Sequence, residues 1–275
     1  MSIIEQILKF SKSINSKKYS DYKIHKLLKK AVNPILKLYI KGNKQHQSLF
    51  ERNENIERLI ILRCFAWELW NLIINGELRN DIYGRRINVI EAALLRCEIA
   101  TDENIVLLKN GQGLSVMSNL RLMLESFVVS KYLWEKGESE AKRFQDYMEF
   151  QKSDFEGSTL KLEAEYDESF FKAYGWISDK KFHSLSALVK GFTNGEYEDL
   201  FKISNNYIHA TPYSLEKVWE LNHQLQGYFP IDLPSLINLN ERLLSDFLVF
   251  VTDCFIDTDK KESCKVVLEV IAKWI

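Results

Sequence analysis

A predicted helix over residues 196–210 carries a polar face whose side chains could do chemistry. At a helical period of 3.6 residues, the positions on this face hold Glu198, Lys202, Asn205 and His209. The Asn205 amide and the His209 imidazole then point the same way, about 6 Å apart along the helix axis. An imidazole beside an amide could perform general acid–base catalysis if a cation also reached the substrate.

A second polar pair is predicted on a helix over residues 114–135. Arg121 and Glu125 stand four residues apart, either as an intrahelical ion pair or as a guanidinium held in place by its carboxylate. From a facing helix, Arg121 could bind a phosphate beside Asn205 and His209. The same four side chains have complementary donors and acceptors, so a buried polar network that fixes helix register is the alternative.

Positive charge is concentrated at the start of a chain whose net charge is -1. Residues 1–50 hold eleven lysines against two acidic residues, or a charge of about +9. We expect a basic helical arm over 1–48 and a helical-bundle domain over 49–275. The lysine face suits a nucleic-acid backbone or an anionic membrane surface, or is an ordinary solvated face. The residues predicted to bind nucleic acid are Lys23, Lys26, Lys30, Lys37 and Lys202.

The composition predicts an all-α, multi-helix bundle. Glycine (11) and proline (4) are scarce, and no alternating strand pattern occurs. Within this fold, Thr101 is predicted to cap the start of a new helix. The four cysteines have neither zinc-finger nor disulfide spacing, so we expect buried thiols in a reducing cytoplasm, with no metal site and no cofactor. The apolar runs are too short and too charged to cross a membrane.

Three stretches of sequence resemble known helical families. Around Ser204-Asn205-Asn206-Tyr207-Ile208-His209, the chain resembles the HEPN superfamily of all-helical nucleotide- and RNA-related domains. Arg121-x-x-x-Glu125 and Tyr174-Gly175-Trp176 extend the likeness over about residues 85–250. The combined pattern looks like an uncharacterised bacterial domain-of-unknown-function family, many of whose members sit near mobile-element or defence genes.

The resemblance implies an HEPN-like effector: a metal-independent ribonuclease of bacterial antiviral defence or a toxin system, with a cleft formed by two copies. His209 would be the general acid or base. Ser204 stands where the superfamily carries its arginine, so the cation would come from Arg121, from Lys202 or from a second copy. The residues that would line the site are His209, Arg121, Glu125, Asn205 and Tyr207.

Two other functions are compatible with these residues. One is a non-catalytic interaction or regulatory module, in which the polar cluster is structural and the arm binds a protein partner. The other is a pocket for a nucleotide or another small anionic ligand. RNA, a second copy of the chain and a protein partner are therefore the expected partners.

Overall fold

The computed structural model describes residues 54–75, 84–109, 113–157, 166–208, 233–255 and 258–273, besides position 33. Eight α-helices and no strand lie in this part of the chain, which confirms the all-α, multi-helix bundle. The basic arm and its boundary at residue 48 lie outside the described residues. The helices are α1 (Glu54–Ile74), α2 (Arg85–Lys109), α3 (Gly113–Lys136), α4 (Glu138–Glu156), α5 (Leu185–Phe192), α6 (Glu198–Ile208), α7 (Leu233–Phe255) and α8 (Thr258–Lys273).

Helix α3 is the central helix of the bundle. It packs against α2, α4, α5, α6 and α7, while α1 contacts α2 and α7 to complete a four-helix core. Leu120, Leu124 and Val128 of α3 are fully buried in that core. Burying one such aliphatic side chain contributes about 1.5–3 kcal/mol. Because α3 is fixed by so many neighbours, polar side chains on its remaining face are held in defined positions.

Helix α2 is continuous from Arg85 to Lys109, so the predicted helix start at Thr101 is wrong. Thr101 is fully buried, and its hydroxyl donates to the carbonyl of Cys97, four residues earlier, at 2.8 Å. A threonine hydroxyl bonded to the preceding turn does not cap a new helix. Nearby, the buried amides of Asn104 in α2 and Asn240 in α7 hydrogen-bond each other across the core.

None of the described helices is both long enough and apolar enough to span a membrane. The cysteines have the predicted environment, since Cys64, Cys97, Cys254 and Cys264 are all buried and free. Burial raises the pKa of the Cys97 thiol, which therefore stays protonated.

An ion pair between α1 and α7 lies inside the four-helix core. Arg58 Nε is 3.4 Å from Glu241 Oε1, and the two side chains are 7% and 1% exposed. Burial raises the pKa of Glu241 to about 7, although the nearby Arg58 charge opposes the shift. The carboxyl therefore takes up a proton near neutral pH in the folded protein.

We expect the stability of the fold to fall as the pH rises from about 4.5 to 7. The Glu241 carboxyl titrates at its ordinary value of 4.5 in the unfolded chain and near 7 in the folded one. Its stabilising contribution is therefore complete below the lower value and lost above the higher one, by on the order of 1–3 kcal/mol. Urea unfolding at several pH values measures this. Glu241→Gln cannot ionise and should show a weaker pH dependence; equal slopes in both proteins would contradict the prediction.

Candidate functional site

Arg121 connects α3 to α6 at a largely buried position. Its Nε donates to Glu125 Oε1 at 2.8 Å, and its Nη1 donates to the carbonyl of Phe201 in α6 at 3.2 Å. Its guanidinium carbon lies 3.7 Å from the centroid of the Phe201 ring, a cation–π contact. The residue is only 7% exposed. Two hydrogen bonds and one aromatic ring therefore fix the guanidinium between the two helices.

Ser204, at the position where the superfamily carries its arginine, belongs to the same contact. It is fully buried, and its hydroxyl donates to the Phe201 carbonyl at 3.1 Å. That carbonyl thus accepts from Ser204 and from Arg121. A long cationic side chain at position 204 would point into the core between α3 and α6. The small Ser204 side chain and the Arg121 guanidinium instead share the Phe201 carbonyl as acceptor.

Lys202 lies on the solvent side of α6. Its side chain is 65% exposed, and its ammonium is 3.6 Å from a Glu198 carboxylate oxygen and 3.8 Å from an Asp199 oxygen. The predicted polar face of this helix is thus present, with Asn205 half-buried beside it. Two carboxylates next to the ammonium reduce the positive potential there.

Several predicted site residues lie wholly or partly outside the described residues. Tyr207 belongs to α6 by its backbone, but its side chain lies outside the described part. His209 lies outside it altogether, as do four of the five predicted nucleic-acid-binding lysines: Lys23, Lys26, Lys30 and Lys37. The structure therefore brings together Arg121, Glu125 and the Phe201 end of α6, and Lys202 points away from them.

A cavity of about 750 Å³ opens beside Glu125, between α2, α3, α4 and the segment 166–177. The apolar part of its wall includes Val89, Ala92, Ala93, Val129, Phe144, Met148 and Trp176. The polar part includes Asn88, Arg96, Glu125, Gln145, Gln151 and Tyr174. The sequence named Glu125 and the Tyr174-Gly175-Trp176 stretch as parts of one resemblance and predicted no contact between them. The contributions of α2 and α4 were missed, because no spacing in the sequence brings these helices together.

Tyr174 stands at the cavity in a left-handed backbone conformation, with φ 61°. A residue other than glycine in this region is uncommon and is often found at ligand-binding positions. Burial, and then the nearby Glu125 carboxylate, raise the pKa of the Tyr174 phenol, while Arg121 opposes the shift. The phenol therefore stays a neutral hydroxyl that can donate a hydrogen bond.

The turn that carries Tyr174 is anchored to α4. Arg143 Nη2 donates to the Gly175 carbonyl at 2.8 Å, and the Tyr147 hydroxyl donates to the Lys172 carbonyl at 3.0 Å. A Cβ atom at Gly175 would lie 2.2 Å from the Phe170 carbonyl oxygen, so only glycine fits this close approach. One wall of the cavity is thus built to a fixed backbone geometry.

These groups can bind a ligand. Within the described ranges, no three His, Cys, Asp or Glu side chains converge as metal ligands. The Arg121 and Glu125 charges are directed at each other, whereas the cavity offers amides, a phenol and the Arg96 guanidinium beside apolar side chains. A large apolar cavity with a few polar groups is the usual form of a small-molecule site.

Fold and site together define an all-α helical-bundle protein with a buried arginine contact next to a ligand-sized cavity. Residues 92–226 match the model of a family of unknown function (DUF5677), which covers a little under half of the 275-residue chain. No curated protein and no solved structure matches the chain. The match includes most of α2, all of α3 to α6, and with them the Arg121 contact. It agrees with the likeness to an uncharacterised family, while the HEPN resemblance stays a prediction.

Proposed function

We propose that the protein is a non-catalytic helical binding module in which the Arg121–Glu125 pair holds α6 against α3. The burial of Arg121 is the observation that carries the proposal. Metal-independent cleavage of RNA needs a cation that reaches the charge developing on the phosphate. Arg121 would have to leave Glu125 and the Phe201 carbonyl to do so, and both contacts are well formed.

The surroundings of Lys202 support the same proposal. This lysine is the exposed cation of α6 that the sequence offered as a substitute for the missing arginine. Its neighbours Glu198 and Asp199 carry two negative charges within 4 Å of its ammonium. They would repel a phosphate group approaching that face, so Lys202 is poorly suited to bind the substrate of a nuclease.

In this proposal the basic arm is the segment that binds RNA. The four lysines predicted to bind nucleic acid, Lys23, Lys26, Lys30 and Lys37, would neutralise phosphates and release condensed counterions, which favours binding without sequence selectivity. Binding of this kind positions RNA on the protein and requires no catalytic residue. The other candidate ligand of the arm is an acidic protein partner. If the arm binds only such a partner, the protein should not bind RNA.

We expect the full-length protein to bind single-stranded RNA and to leave it intact in a metal chelator. Fluorescence anisotropy at several salt concentrations measures binding, and a denaturing gel measures cleavage. Replacing the four arm lysines by glutamine should lower the affinity and reduce the slope of log affinity against log salt by about three, because each phosphate contact on single strands contributes about 0.7. Affinity that does not change with salt would contradict the role of the arm.

The HEPN-like ribonuclease is the second candidate, and it predicts the opposite result. It is favoured by the contact of Arg121 with α6, the helix that leads into His209 in the sequence. In this hypothesis His209 is the general acid or base, with Asn205 and Tyr207 in the site. RNA cleavage without metal that disappears in His209→Ala, at an unchanged melting temperature, would overturn the non-catalytic proposal. Equal cleavage by His209→Ala would indicate a contaminating nuclease.

A further inference from the structure

We infer that the cavity beside Glu125 is a binding site for an organic anion with an apolar body, and that Arg96 binds its negatively charged group. The lining residues come from α2, α3, α4 and the segment 166–177, and none of them belongs to the sequence of the arm that the proposed function assigns to RNA. The inference rests on the shape, charge and backbone conformation of the cavity wall.

The size and the apolar wall of the cavity fit the body of such a ligand. Its volume of about 750 Å³ falls within the range of small-molecule pockets, about 300–1,000 Å³. Val89, Ala93, Val129 and Phe144 are only partly buried, so apolar surface on each of them remains accessible. A ligand that covers this surface removes it from water, which favours binding.

The charges of the wall favour an anion. Its two formally charged residues are Arg96 and Glu125. The Glu125 carboxylate is already compensated, since Arg121 Nε lies 2.8 Å from it. Arg96 is exposed, and no carboxylate in the described part of the chain pairs with it. Among the described residues, the wall therefore presents one guanidinium without a carboxylate partner, a group that binds carboxylates, sulfonates and phosphates with two parallel hydrogen bonds.

The backbone at the cavity mouth gives an independent argument for a ligand. Tyr174 keeps its left-handed conformation because the turn around it is anchored by Arg143 and Tyr147. Strained residues held in place by their surroundings concentrate at ligand clamps. Tyr174 lines the same cavity as the α2 residues, where its neutral phenol can donate to a bound ligand.

The test uses two probes that share an aromatic body and differ in charge. The anionic probe is 8-anilinonaphthalene-1-sulfonate, and the neutral one is N-phenyl-1-naphthylamine, both followed by fluorescence titration of the full-length protein. We expect saturable binding of both. Arg96→Gln should lower the affinity for the anionic probe about tenfold, because a charge-assisted hydrogen bond is lost. The affinity for the neutral probe should change less than about twofold. Arg85→Gln is the matched control: Arg85 is exposed on the same helix outside the cavity wall, and its loss should affect neither probe.

A second variant tests the location. Ala93→Trp places an indole in the cavity and should strongly weaken the binding of both probes while the circular dichroism spectrum is retained. Unchanged affinity for the anionic probe in folded Ala93→Trp would overturn the site. If Arg96→Gln binds the anionic probe as tightly as the wild type does, Arg96 does not bind an anionic group. The same conclusion follows if Arg96→Gln loses equal affinity for both probes. Absence of binding to either probe would also overturn the inference. None of these outcomes depends on whether the protein binds or cleaves RNA.

Discussion

Replacing Arg121 by alanine is expected to lower the free energy of unfolding by about 2–4 kcal/mol. The substitution removes the cation–π contact with Phe201 and one of the two side-chain donors to the Phe201 carbonyl. It also leaves the Glu125 carboxylate without its partner. Because the Glu125 side chain is 39% exposed, water can solvate the freed charge. The expected range therefore begins below the 3–5 kcal/mol typical of a broken, fully buried ion pair.

Urea unfolding followed by circular dichroism measures the effect, and two variants serve as controls. Lys202→Ala removes an exposed cation of α6 and should change the stability by less than about 0.5 kcal/mol. Arg121→Lys keeps the charge but loses the planar, forked donor group, so its stability should lie between wild type and Arg121→Ala. A normal unfolding curve for Arg121→Ala together with changed RNA binding would show that the guanidinium acts on a ligand and does not support the fold.

The fold and the Arg121–Glu125 pair could be predicted because both depend on local sequence. The order of apolar and polar residues shows the helical period of 3.6 residues directly. Within a helix, the spacing i, i+4 places Arg121 beside Glu125 regardless of what packs around them. The predicted limits 114–135 and 196–210 lie within a few residues of the observed helices Gly113–Lys136 and Glu198–Ile208. Thr101 was misjudged because one hydroxyl can cap a helix or bond back to it, and burial decides which occurs.

The partners of the pair and the cavity could not be predicted from spacing. The Phe201 carbonyl that accepts from Arg121 is 80 residues away in the sequence, and the cavity wall combines three helices and a turn. Both this hydrogen bond and the cavity depend on how α2, α4 and α6 pack around α3, which no local sequence pattern specifies. Ser204 illustrates the difference. From the sequence it is a departure from a nuclease pattern, whereas in the fold it is a small buried donor beside Arg121.

Glu140 connects the stability of the bundle to the cavity, because it fixes the end of the segment that forms one cavity wall. It is only 5% exposed, in the first turn of α4. Its Oε1 accepts from the Tyr132 hydroxyl at 2.5 Å and from the Ser178 N–H at 2.7 Å, and its Oε2 accepts from the Ser178 hydroxyl at 2.7 Å. Burial and the Glu140 carboxylate raise the pKa of Tyr132, which keeps this phenol a donor.

Replacing Glu140 by alanine is expected to cost about 3–5 kcal/mol in unfolding free energy and to weaken binding of both cavity probes. The fully buried Tyr132 hydroxyl and the Ser178 N–H would lose their acceptor, at about 1–3 kcal/mol for each buried group left unsatisfied. Urea unfolding and probe titration measure the two effects. Glu149→Ala, an exposed site on the same helix, is the control and should stay within about 0.5 kcal/mol of wild type. If Glu140→Ala also stays that close, the segment must be held by the Arg143 and Tyr147 contacts with its backbone, and those two residues would then determine the shape of the cavity.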